Sequence, residues 1–165
     1  MERILSIAAI IISLSALGLS FVQSYTIIKH NHVSLQPRLH AYFSNEEQND
    51  KFGIYLVNNG LGPAYIKEFK VYLDNKILSE TKFGYFQPLI DKLNLNQSCF
   101  AWGYLVKDSA LDNRDDLLLI RAKNAGADEC SVDKIGFFTN LKRIKIEIAF
   151  ESIYGDKFTY TYNPS

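Results

Sequence analysis

Three histidines lie close together in the chain, His30, His32 and His40, and imidazole is the commonest side-chain ligand of transition metals. The H-x-H pair brings two rings near each other, but no neighbouring Cys, Asp or Glu completes a coordination set. These residues read as a polar, weakly basic stretch, and no metal is expected. Asn58-Asn59-Gly60-Leu61-Gly62-Pro63 has the glycines of a phosphate-cradling loop. It lacks the Lys-Ser/Thr that reaches phosphate and magnesium, and the residues that follow have strand character, with no helix N-terminus. Turn chemistry accounts for it. Cys99 sits in the apolar run Ser98–Trp102 and reads as a small buried hydrophobe, with Cys130 either its disulfide partner or a second free thiol. The CxxC spacing of zinc and redox sites is absent, as is the G-x-S-x-G of a nucleophile elbow. The acidic pairs Glu46-Glu47 and Asp115-Asp116 lie in polar stretches where solvated charge is the default. No catalytic residue and no cofactor is assigned, and an enzyme is not expected.

One basic cluster remains. Arg143 and Lys145, with Lys142 beside them, share the solvent face of a late strand and are the candidate ligand-binding pair for a small anion or lipid headgroup. An ordinary solvated strand face is the simpler explanation. Across the chain 18 Lys and Arg balance 18 Asp and Glu. That balance argues against nucleic acid polymers, whose binding needs a basic footprint to release counterions.

These residues hang on a chain with an apolar start. Ile4–Val22 carries no charge and no proline, and as a helix it covers about 28 Å, close to a bilayer core. The apolar character runs on to Ile28, so residues 1–28 are expected to form a transmembrane anchor, 29–37 a juxtamembrane connector and 38–165 a folded domain. A cleaved signal peptide is the rival, with Ala16-Leu17-Gly18 as its site. The weakly charged Met1-Glu2-Arg3 and the apolar residues after Gly18 oppose it. Positive charge is in slight excess after the helix (Lys29 and Arg38 against Arg3 offset by Glu2), which leans the C-terminal domain towards the cytoplasm by about one charge. Within the anchor, Ser6, Ala9, Ser13, Ala16 and Ser20 recur at alternating spacings of three and four, a small-residue stripe on which helices can associate in lipid.

Three elements resemble those of a large group of uncharacterised short bacterial membrane proteins: His30-Asn31-His32-Val33-Ser34-Leu35-Gln36-Pro37 after the apolar helix, Val57-Asn58-Asn59-Gly60-Leu61-Gly62-Pro63-Ala64, and Ser152-Ile153-Tyr154-Gly155-Asp156. The resemblance departs at His32, where arginine is usual. It implies a single-pass protein of the bacterial inner membrane and no mechanism.

The residues independently read as β structure. Arg38–Phe43 is a short strand, and Phe52–Val57, apolar on both faces, is a central one. Ile66, Phe69, Val71 and Leu73 mark a third strand whose phase slips at Lys67-Glu68, as at a bulge. Asp74-Asn75 suits a two-residue hairpin turn leading to Ile77-Leu78. A short helix is expected over Phe86–Leu93, strands over Ser98–Val106 and Leu117–Lys123, and a loop over Asn124–Gly136. Ile144, Ile146, Ile148 and Phe150 alternate with polar residues before the Tyr154-Gly155-Asp156 turn, and Phe158, Tyr160 and Tyr162 alternate after it. Seven or so short strands predict an immunoglobulin-like β-sandwich. The expected role is a membrane-tethered interaction module that meets the bilayer, an unknown protein partner and further copies of itself through the anchor. The alternative is an effector whose domain senses a small anionic ligand and rearranges associated helices.

Overall fold

A computed structural model describes residues 2–46, 51–123 and 129–164. The chain divides into two compact units at Leu35/Gln36. The first is one helix, α1 (Glu2–Ser34), with no buried residue. It is long and apolar enough to cross a membrane. Sequence patterning ends the apolar run near Ile28, but the helix continues through most of the expected connector to Ser34. Nothing between Lys29 and Ser34 breaks a helix, whereas Pro37 disfavours helical backbone at the residue before it. Leu35 N–H still donates to Asn31 O at 2.9 Å.

The second unit is β-rich, and its strand pairings are antiparallel. The strands are β1 (Leu39–Glu46), β2 (Lys51–Asn58), β3 (Ala64–Leu73), β4 (Lys76–Ile77), β5 (Phe100–Trp102), β6 (Ala110–Leu111), β7 (Asp116–Ala122), β8 (Ile144–Glu151) and β9 (Lys157–Tyr162). Helices α2 (Phe86–Lys92) and α3 (Ser131–Thr139) lie between them. Among the described residues one sheet runs β1-β2-β7-β5, and the other β4-β3-β8-β9 with β6 also on β3. One hydrophobic core draws on both sheets: Ile54, Leu56 and Ile120 from the first, Ile66, Val71 and Ile146 from the second.

Local chemistry explains the pieces. β2 is central in its sheet, between β1 and β7, and residues Phe52 to Leu56 are buried in succession, so both faces are covered and its apolar run needs no alternation. β8 alternates strictly, with Ile144, Ile146, Ile148 and Phe150 inward. The register of β3 against β8 shifts between Ile66 and Glu68, which is the bulge expected at Lys67-Glu68. Asp74 and Asn75 turn the β3–β4 hairpin at φ 51° and 62°, values that Asp and Asn tolerate better than most residues. The Ser98–Val106 strand shrinks to Phe100–Trp102. Of the expected loop Asn124–Gly136, residues 124–128 lie outside the described residues, and from Ser131 the chain forms α3 instead.

Candidate functional site

Among the described residues the outer edge of β3 is covered at its two ends only. β6 pairs with Ala64 and Tyr65, and β4 with Tyr72 and Leu73. The covers reach slightly inward: Ile66 N–H donates to Ser109 O at 2.9 Å, Asp108 N–H to Ile66 O at 2.7 Å, and Leu78 N–H to Val71 O at 2.9 Å. Between them a cleft of about 380 Å³ opens alongside residues 66–69 of β3. Its far wall comes from the segment before α2, with Glu80 and Tyr85, and from the segment between β5 and β6, with Tyr104, Leu105 and Lys107.

Aromatic rings line both sides of the cleft. Phe69 meets Tyr85 edge-on at 5.8 Å between centroids and Phe86 at 5.9 Å. Tyr104 Oη donates to Glu80 Oε1 at 3.2 Å, and that bond raises the phenol's pKa. Burial raises that of Tyr85. Lys67 Nζ, at the bulge, is held by Asp108 at 2.7 Å and Glu151 at 3.3 Å, which raises its pKa. The cleft thus combines ring surface, strand main chain and both signs of charge.

The expected basic pair is arranged differently. Arg143 closes the short 3₁₀ turn before β8, and its guanidinium grips both carboxylate oxygens of Asp74 with a third bond to Asn140 Oδ1. This partner lowers the Asp74 pKa. Lys145 Nζ lies 2.9 Å from Glu147 Oε1 and 4.2 Å from the Tyr72 ring centroid. Glu147 also accepts from Tyr72 Oη at 2.6 Å, and these two donors hold its pKa below the ordinary range. The carboxylates Asp74 and Glu147 therefore already occupy the two cations. In α1, the stripe residues Ser6, Ala9, Ser13, Ala16 and Ser20 are all exposed. The hydroxyls of Ser6, Ser13 and Ser20 donate to carbonyls of their own helix, at Glu2, Ile10 and Ala16.

The glycine-rich motif is structural. Asn58 is fully buried. Its Oδ1 accepts from Arg38 N–H and Gly60 N–H, each at 3.0 Å, while its Nδ2 donates to Gly62 O at 2.8 Å and Leu111 O at 3.0 Å. At Gly60 a Cβ would lie 2.3 Å from Gln36 O and 2.5 Å from Arg38 N, so no larger residue fits. In the second motif Ser152 Oγ caps the β8–β9 turn, accepting from Tyr154 N–H and Asp156 N–H and donating to Asp156 Oδ2. Gly155 takes the left-handed φ of 80° that this turn needs.

Cys99 and Cys130 form a disulfide, with 5.5 Å between their Cα atoms, that ties the start of α3 to the β5 edge. Sequence reasoning left this pairing open. Among the described residues no group of three or more His, Cys, Asp or Glu could hold a metal ion. Comparison with protein-family models, curated proteins and solved structures finds no match to this chain.

Proposed function

We propose that this protein is a single-pass membrane tether carrying an immunoglobulin-like interaction module, with no chemistry of its own. The observation that carries the reading is α1. Its apolar residues from Ile4 to Ile28 are exposed, and a face of that size stays in solution only when something apolar covers it. A bilayer is the cover that matches its length. Two antiparallel sheets sharing one core support the sandwich, and the cleft beside β3 gives the module a place to bind.

The cysteines support one side of the membrane over the other. Disulfides persist in oxidising compartments and are rare in the cytosol. A covalent link that joins α3 to β5 outweighs a lean of about one charge, so the module belongs on the non-cytoplasmic face, opposite to the side that charge counting favours. In a bacterium this is the outer face of the inner membrane. The anion-sensing alternative draws no support from Arg143 and Lys145, which the carboxylates of Asp74 and Glu147 hold.

Fractionation tests the tether. The protein stays in the membrane pellet after an alkaline carbonate wash, with Met1 still present by mass spectrometry. A soluble mature chain beginning at Leu19 would overturn the reading.

A further inference from the structure

We propose that the cleft beside β3 binds a short peptide segment in extended conformation, which pairs as an added strand with the main chain of Phe69. This deepens the interaction reading by naming the class of partner.

Along an antiparallel strand, alternate residues aim their N–H and C=O groups at opposite neighbours. Val71 aims at β4, because its carbonyl accepts from Leu78 N–H. Two residues earlier on the same strand, Phe69 must aim its N–H and C=O at the same edge. Neither β4 nor β6 reaches Phe69, and among the described residues no backbone bond fills that side. One donor and one acceptor on a strand edge are the complement of another strand's peptide unit, which is the basis of β-augmentation.

The remaining features select length and charge. The gap between the covers runs from Lys67 to Lys70, about 13 Å of strand, which suits three or four residues of ligand. The rings of Phe69, Tyr85 and Tyr104 offer flat apolar walls to side chains that alternate from the added strand. Lys107 lies on the β6 side of the gap, next to Asp108, whose N–H bonds Ile66. Glu80 lies on the β4 side, two residues past Leu78. Opposite charges at the two ends fit a peptide with an acidic group, or a C-terminal carboxylate, at one end and a basic residue at the other.

The test uses the full chain in detergent micelles and a phage-displayed library of random seven-residue peptides as the probe. Enriched sequences, made as synthetic peptides, slow amide hydrogen exchange at Phe69. Glu80→Lys and Lys107→Glu each weaken binding about tenfold, and a peptide with its charges exchanged binds the double variant. Glu80 and Lys107 are both exposed, so these variants fold, and a melting curve identical to the wild type's verifies it. Failure to enrich any peptide, or enriched peptides that leave both Phe69 exchange and the charge variants unaffected, would overturn the proposal. A chain that binds such peptides but washes off membranes loses its tether and keeps this site. A chain that stays in the membrane and enriches no peptide loses the site and keeps its tether.

Discussion

Replacing Asn58 by alanine tests whether one buried amide holds together the loops at the pole of the domain where Pro37, Gly60 and Leu111 lie. The side chain makes four hydrogen bonds, all to main-chain groups, and its residue is fully buried. Each such bond contributes about 1 kcal/mol net, and alanine leaves the main-chain partners without a substitute, so the loss is about 4 kcal/mol. A domain of this size shifts by roughly 3–5 °C per kcal/mol, so the melting temperature falls by roughly 12–20 °C. That is a large share of the roughly 5–15 kcal/mol that holds an ordinary domain folded. The assay is thermal unfolding of the full chain in detergent, followed by the fluorescence of Trp102. The control is Asn59→Ala, the exposed neighbour in the same motif, which costs about 0.5 kcal/mol or less. If the two variants melt together, Asn58 is not the hub described above, and the motif must be explained another way.

Ile146→Asp unfolds the β domain, because Ile146 is fully buried and an unpaired charge there has no partner. Thr159→Asp, on the exposed face of the adjacent strand β9, leaves near-UV circular dichroism unchanged, and equal loss in both would invert the assigned faces. Tyr42 has its pKa pushed up to about 12, first by burial and then by its hydrogen bond to Asp116. A folded-state value above the unfolded one means its contribution to stability is complete below pH about 10 and is lost as pH rises through about 12. Absorbance titration of phenolate therefore shows Tyr42 among the late tyrosines, with Tyr162, which burial also pushes up to about 12, and Asp116→Asn lowers only the Tyr42 component, and only in part, since burial is its larger cause. Ser13→Leu with Ala16→Leu weakens a membrane two-hybrid signal between anchors, because bulk on the small-residue stripe keeps helix backbones apart. Ile11→Leu with Ile12→Leu leaves that signal intact, and equal signals from both pairs would remove the stripe as a seam.

The parts of the fold legible in the sequence are those written in local patterns. The alternation from Ile144 to Phe150, the phase slip at Lys67-Glu68 and the positive-φ pair Asp74-Asn75 each report on a few neighbouring residues, and each appears where the pattern put it. What escaped depends on distant partners or weak periodicity. Helix α3 carries Gly136 in its interior and buries only Phe137, while Val132, Ile135 and Phe138 stay exposed, so no inward stripe announces it. The cleft exists because β4 and β6 stop short of Phe69, and two-residue strands leave no sequence signature. Lys67, Glu80 and Tyr104 come from three separate segments, so only the folded chain brings them to one opening. Arg143 and Lys145 were found as a pair because they are two residues apart. Their carboxylate partners Asp74 and Glu147 show why proximity in sequence is a poor guide to free charge.

A fusion after Ser165 tests whether the β domain is tethered on the oxidising side of a membrane. Alkaline phosphatase needs its own disulfides and is active only outside the cytoplasm, whereas a fluorescent protein exported in unfolded form stays dark there. A domain tethered there gives an active phosphatase, a dark fluorophore, and Cys99 and Cys130 resistant to alkylation until a reductant is added. A bright fluorophore with an inactive phosphatase and two freely alkylated thiols would contradict it.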